Sequence, residues 1–312
     1  MRATATAAAP SHIGVAQQVG APNADGDRDI AALVLTCDLE EIVAARHGDP
    51  GECIVEISDA SSIATTPDDA AVGEDDMAAK AARLLTSYTG HPGGVRLSIA
   101  RHVPTAAGLG AGAADAAATL VACDALWGLG LSRGELQRLA MRLGADVALA
   151  LAGGAGIILG QGEEFSPLLH VEPSHWVLVP ASYPVPAPDV YAQMDKLRVQ
   201  EELNGREDPG QVGVDSDLVA ALRDGRIVDI ATRVSNDLET AAVILRAEVQ
   251  EVMGAARRAD AVAQVVSGTG PTVAMAAEDR DAAERLATVV ADELDVRTIV
   301  VQAPARGAHL LR

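Results

Sequence analysis

The chain is 312 residues long, 49% hydrophobic and 22% charged, which is enough length and apolar surface for about two globular domains and excludes a disordered chain. Lys and Arg number 24 against 44 Asp and Glu, a formal net charge of −20 that repels nucleic acid and anionic lipid at long range. Cys37, Cys53 and Cys123 are far apart with no histidine at ligand spacing, so neither a disulfide framework nor a zinc site is supported, and a cytoplasmic protein is expected.

Aromatic residues make up only 2%, so the core must be built from Ala, Val, Leu and Ile. The first residues, Met1-Arg2-Ala3, read poorly as a signal peptide. The most apolar stretch, Gly144 to Gly160, contains Asp146 and several glycines and is too short to span a bilayer.

In chain order, Ala31–Thr36, Cys53–Ile57 and Val95–Ile99 read as strands. Asp75 to Thr86 places Met77, Ala81, Leu84 and Leu85 at helical spacing. After a Gly/Ala-rich loop from Pro104 to Gly112, Ala113 to Trp127 reads as a helix ended by Gly128 and Gly130. Ser132 with Glu135 forms a capping-box pattern for a second helix that stops at Gly144, and a short third helix follows Asp146. Strand character returns from Ile157 through Trp176–Val179, before a Pro-rich crossing from Pro180 to Pro188. Helices are then expected at Asp217–Arg223, Ile227–Thr232, Leu238–Gly254 and Asp281–Leu294. Strands are expected at Ala263–Val266, Thr272–Ala276 and Arg297–Gln302. Strands and helices mix without regular βαβ alternation, which favours α+β over a doubly wound sheet.

The segment Pro104-Thr105-Ala106-Ala107-Gly108-Leu109-Gly110-Ala111-Gly112-Ala113-Ala114-Asp115 is the strongest local feature. Its glycines permit positive φ and close backbone approach, and the helix directly after it offers unbonded amides and the positive end of its dipole. That arrangement suits a nucleotide's phosphates. No Gly-Lys-[Ser/Thr] follows, so it is not a Walker A loop. A loop that merely lets a helix pack closely on a sheet has the same composition. Val266-Ser267-Gly268-Thr269-Gly270-Pro271-Thr272, between two expected strands, also reads as a hairpin turn. Asp146 reads either as a helix N-cap or as a carboxylate beside a phosphate site, suited to general-base work or to magnesium. Asn236-Asp237-Leu238-Glu239 reads as the capped start of a helix.

Taken in order, these motifs resemble the GHMP kinases, small-molecule kinases such as galactokinase and the homoserine and mevalonate kinases. Within them the chain is most similar to the branch that phosphorylates 4-diphosphocytidyl-2-C-methyl-D-erythritol in the non-mevalonate isoprenoid pathway. The likeness rests on Pro104–Asp115 with Ala116–Ala118, Gly144–Val147, Asn236–Glu239, Ser267–Thr272, and Val190-Tyr191 followed by Asp195. It is strong from Arg101 onward and weak before it.

The resemblance implies an α+β, two-domain fold. An S5-domain-2-like ATP-binding domain would span residues 1–165, and a ferredoxin-like α/β domain residues 166–312. It implies ATP, with Mg2+ on its phosphates, over Pro104, Gly108, Leu109, Gly110, Ala111, Gly112, Ala113 and Ala114. Asp146 would be the base toward the substrate's 2-hydroxyl, beside His12, and no metal ligand is assigned. The substrate, a cytidine-diphosphate polyol, would be met by Asp25, Gly26, Arg28, Tyr191, Gly268, Thr269 and Gly270. A monomer or homodimer is expected, with neither nucleic acid nor membrane as partner.

Three departures fall on the chemistry. The family's first strand reads Pro-x-Lys-[Ile/Val]-Asn, whereas here Ala9-Pro10-Ser11-His12-Ile13-Gly14-Val15 puts His12 where Lys belongs and Gly14 where Asn belongs. A histidine is shorter than lysine and carries no fixed cation at neutral pH. The family's Asp-Gly-Tyr-His becomes Asp25-Gly26-Asp27-Arg28, and Ala111-Gly112-Ala113-Ala114 lacks the usual loop hydroxyl. Three readings stay open: an active kinase of this branch, an impaired relative with a binding or regulatory role, and a kinase for another alcohol.

Overall fold

The structure, a computed structural model, describes residues 3–63, 76–181, 183, 185–203 and 211–312. Met1, Arg2, Asp75, Ser182 and Pro184, which fall in segments read above, lie outside the described residues.

The first half is organised around one long antiparallel ribbon. β1 (Thr4–Pro22) and β2 (Arg28–His47) pair from Thr4↔Arg46 to Pro22↔Arg28. The sequence predicts only Ala31–Thr36 of this ribbon as strand from its composition, because alanine-rich runs have little intrinsic strand preference. Tertiary burial overrides that weakness: residues 7–15 are buried without interruption, as in a strand covered on both faces. The register slips at Pro10/Ser11 and again at Gly14/Ala16, so two irregularities bracket the stretch that carries His12.

On its other edge β2 pairs with β5 (Ala155–Leu159) near its start and with β4 (Val95–Ala100) near its end. β3 (Cys53–Ile57) lies parallel to β4, and β6 (Glu164–Leu168) extends β5. Two short strands from the second half, β8 (Ser235–Asn236) and β12 (His309–Leu310), add to β1.

One face of this sheet is covered by α1 (Met77–Thr89), α2 (Ala111–Trp127), α3 (Arg133–Leu143) and α4 (Ala145–Ala152). In α2 the small side chains of Ala114, Ala116, Ala117, Ala118 and Ala122 are all buried, which lets the helix lie close to β1 and β2. The core is aliphatic, as the scarcity of aromatics requires. The capping box before α3 is formed: Ser132 Oγ accepts from Glu135 N at 3.3 Å, and Glu135 Oε2 accepts from Ser132 N at 2.8 Å.

The second half contributes α5 (Ala187–Leu203), α6 (Ser216–Asp224), α7 (Ile227–Ala231), α8 (Glu239–Leu245), α9 (Ala247–Arg258) and α10 (Arg280–Leu294). Its antiparallel sheet has the order β11 (Ile299–Ala303), β7 (Ser174–Val179), β10 (Val273–Ala277), β9 (Ala263–Val266). Alternation along these strands divides their side chains cleanly. Trp176, Leu178, Val265, Ala274 and Ala276 face Ile13, Val15, Leu33 and Leu35 of the ribbon, joining the two sheets in one apolar layer. Val177, Val266, Val273 and Met275 face α9 and α10.

Two expectations need correcting. The single helix read from Leu238 to Gly254 is two, because Arg246 takes extended backbone angles (φ −141°, ψ 96°) between α8 and α9. The crossing around Pro188 runs directly into α5, which its weak apolar periodicity hides; Pro188 is tolerated because the first turn donates no backbone bonds. No described helix is long and apolar enough to cross a membrane.

Replacing Ser132 with Ala removes the acceptor for the Glu135 amide at the start of α3. The expected cost is about 1 kcal/mol, read as a lowered denaturation midpoint with an unchanged slope.

Candidate active site

The strands and the Gly-rich loops converge on a cavity of about 820 Å³ between the ribbon, the start of α2 and the β9–β10 hairpin. The 104–110 loop is moored from beneath: Val103, Ala107 and Leu109 insert into the apolar layer between the sheets. Its upper surface is backbone. Gly108 and Gly110 have φ of +74° and +72°, which only glycine adopts without strain here. Each is also too crowded for a side chain. A methyl group on Gly108 would fall 2.1 Å from the Ser267 carbonyl oxygen, and one on Gly110 2.3 Å from Cε1 of His12.

Gly110 caps α2, whose first helical bond runs from Ala114 N to Gly110 O. The amides of the turn before it therefore have no intrahelical partner and are oriented for an anion. No side chain caps this end.

His12 sits where three elements meet. Its backbone N donates to Leu109 O at 3.0 Å, and its ring fills the space beside Gly110. Nε2 lies 3.6 Å from Asp146 Oδ1, the imidazole 10% exposed and the carboxylate 54%. Asp146 occupies the first turn of α4, whose N-cap is Gly144. The capping reading of Asp146 is therefore wrong: its carboxylate points to the cavity. Nδ1 of His12 is buried and finds no hydrogen-bond partner among the described residues.

The β9–β10 hairpin closes the other side, and Ser267 is its anchor. The Ser267 hydroxyl donates to Gly108 O at 2.8 Å and accepts from Gly14 N at 3.0 Å, so one buried oxygen joins the hairpin, the loop and β1. Asn236 braces the same turn, donating to Val266 O at 2.7 Å and Gly268 O at 2.6 Å, while its Oδ1 accepts from Leu238 N. The Asp237 carboxylate accepts from Val19 N at 2.9 Å. The Asn236–Glu239 segment thus caps no helix by its side chains; it ties the hairpin to β1.

Family models for the GHMP kinases N terminal domain and the GHMP kinases C terminal domain match residues 76–154 and 218–296. The 4-diphosphocytidyl-2-C-methyl-D-erythritol kinase of Pseudarthrobacter chlorophenolicus is 38% identical over 303 residues, covering 97% of this chain and 93% of that one. The chain belongs to the GHMP kinases. A protein of the same name from Clavibacter michiganensis is 40% identical over 310 residues, 98% of this chain and 96% of the relative. Among solved structures, a 4-(cytidine 5'-diphospho)-2C-methyl-D-erythritol kinase superposes with a TM-score of 0.72 at 27% identity, covering 96% of this chain and 99% of that one. The homoserine kinase of Cytophaga hutchinsonii, at 18% identity and the same TM-score of 0.72, shares the fold; it covers 100% of this chain and 98% of that one.

Against this GHMP frame, the residues named from sequence separate into two groups. Pro104, Gly108, Gly110, Ala111 and Gly112 line the cavity, as do His12 and Asp146; Tyr191, Gly268 and Thr269 line its far side. Leu109, Ala113 and Ala114 do not. Leu109 and Ala114 are buried in apolar clusters, and Ala113 packs partly against one. Gly270 points toward Val266 and Ala242 instead. Asp25 and Gly26 are exposed in the turn joining β1 to β2, where Asn23 Oδ1 accepts from Asp25 N and Asp27 N.

Arg28 lies behind Tyr191. Its guanidinium pairs with Asp195 and stands 5.5 Å from the Tyr191 ring centroid. Burial pushes the Tyr191 phenol up, against the pull of the Arg28 guanidinium. Sequence reasoning missed Gln17, Asp76, Met77, Arg101 and Asp115, which also border the cavity. An arginine ending a strand and an acid inside an alanine-rich helix were the available signals for the last pair.

Replacing Ser267 with Ala leaves the Gly14 amide and the Gly108 carbonyl buried without their partner. The expected loss is about 1–3 kcal/mol of stability, measured by denaturant unfolding.

Proposed function

We propose that this chain transfers the γ-phosphoryl group of ATP to the 2-hydroxyl of 4-diphosphocytidyl-2-C-methyl-D-erythritol. The observation that carries the reading is the Asp146 carboxylate facing His12, with the imidazole packed on Gly110 at the start of α2. The names of the curated relatives support the choice of substrate.

In this reading residues 1–165 supply the phosphate loop and both His12 and Asp146, and residues 166–312 supply Tyr191, Gly268 and Thr269. The amides of Ala111, Gly112 and Ala113 hold the triphosphate. Leu109 and Ala114 contribute backbone position only, since their side chains are buried in the core. The substrate hydroxyl oxygen attacks the γ-phosphorus as the bond to the β–γ bridging oxygen breaks. Its proton passes to Asp146, and ADP leaves. Such transfer needs mainly placement and charge stabilisation. Tyr191, backed by Arg28 and Asp195, offers an aromatic face for the base.

Among the described residues no group of three His, Cys, Asp or Glu side chains is arranged to hold a metal ion. Magnesium bound to a nucleotide needs only one or two carboxylates beside the phosphates, and Mg2+ enters this reading as the ion that accompanies ATP. The second reading, a nucleotide-binding relative that does not turn over, is favoured by one observation: His12, rather than a longer fixed cation, reaches toward Asp146.

A coupled assay of ADP release with ATP and the cytidine-diphosphate alcohol tests the proposal, and no turnover at high enzyme concentration rejects it. Asp146→Asn is expected to lower kcat by at least about 100-fold, the usual contribution of a general base. His12→Lys separates the two readings. A gain in rate from near zero marks an active site degraded by the histidine, whereas a wild type already active and little changed rejects the non-catalytic reading.

A further inference from the structure

Beside the phosphate loop, where Arg101 and Asp115 border the cavity that His12 also lines, three charged side chains are buried together: Glu41 of β2, Arg101 just after β4 and Asp115 of α2. Arg101 Nη1 donates to Asp115 Oδ2 at 2.8 Å and lies 4.0 Å from Glu41 Oε2. Glu41 Oε1 accepts from the backbone amides of His102 at 2.9 Å and Val103 at 2.6 Å. These contacts meet the loop at both ends. Glu41 holds the two residues leading into Pro104, and Arg101 holds, through Asp115, the helix into which the loop delivers the chain.

Burial raises both carboxyl groups above their ordinary range, against the opposing pull of Arg101. A carboxylate so near the start of α2 would repel a triphosphate through a poorly screening interior; the Arg101 guanidinium, bonded to Asp115 and 4.0 Å from Glu41, offsets that repulsion.

We propose that Glu41, Arg101 and Asp115 form a clamp that fixes both ends of the phosphate loop and thereby sets its affinity for nucleotide, as positioning residues that do not themselves hold the phosphates. This rests on the nucleotide reading of the loop given above.

The test is calorimetric titration of the full chain with a non-hydrolysable ATP analogue and, separately, with a cytidine nucleotide. Arg101→Met is expected to weaken the analogue at least tenfold while cytidine affinity stays within twofold, and Arg101→Lys, which keeps the cation, to recover most of the loss. Arg101→Met alone strands buried acid and can fail to fold. The double variant Arg101→Met with Asp115→Leu replaces the ion pair by apolar groups of similar volume, a change that buried pairs often tolerate. It too is expected to bind the analogue at least tenfold more weakly. Analogue affinity within twofold of wild type in the double variant overturns the clamp, as does equal weakening of both ligands, which marks general damage. Absence of analogue binding by the wild type overturns the nucleotide reading itself, and the clamp with it.

Discussion

The site depends on the hydroxyl of Ser267. Buried in the β9–β10 hairpin, it receives the Gly14 amide from β1 and gives its own proton to the Gly108 carbonyl of the phosphate loop. Three segments far apart in the chain converge on one oxygen. Asn236 holds the same turn from the opposite side through two backbone carbonyls. A buried hydroxyl with both its roles satisfied tolerates little displacement, because any shift strands a backbone group in an apolar interior. The cavity is therefore framed by a rigid seam rather than by loops packed loosely together.

The proposed function asks an acidic protein to hold a triphosphate. The net charge of −20 opposes an anionic ligand at a distance. What favours it locally in that reading is neutral: the unbonded amides at the start of α2, which act within hydrogen-bond reach and need no lysine. Where the buried acids Asp115 and Glu41 approach the loop, the Arg101 guanidinium pairs with them and offsets their charge. The three departures from the family pattern fit this arrangement. They remove side-chain hydroxyls and a fixed cation but leave the main-chain cradle whole, and His12 takes a place that a side chain on Gly110 would deny it.

Much was legible in the linear chain. Glycines at 108 and 110 followed by an alanine-rich helix, the Ser132–Glu135 capping pattern and the strands read at Ala263–Val266 and Thr272–Ala276 are local signals, and the structure carries each of them, the last strand one residue later at Val273–Ala277. Less legible was anything whose cause lies elsewhere. The ribbon of β1 and β2 is long because both faces are buried, not because alanines prefer strands. Asn236 and Asp237 look like helix caps within their own segment, yet apart from the Leu238 amide their side-chain partners are residues 19, 266 and 268.

By itself, then, the amino-acid order determined the class of fold, the glycine turn that opens α2 and the kinship that names its chemistry, since these reside in spacing, turn residues and composition. Which side chains enter the cavity was decided only by folding. Leu109 and Gly110 are neighbours in sequence, but one is swallowed by the layer between the sheets while the other meets His12. Arg101, Asp115 and Glu41 become a unit only when β2, β4 and α2 pack. The reason is that burial and partnership are properties of distance in space, and no local pattern encodes a contact between residues separated by 60 or 250 positions.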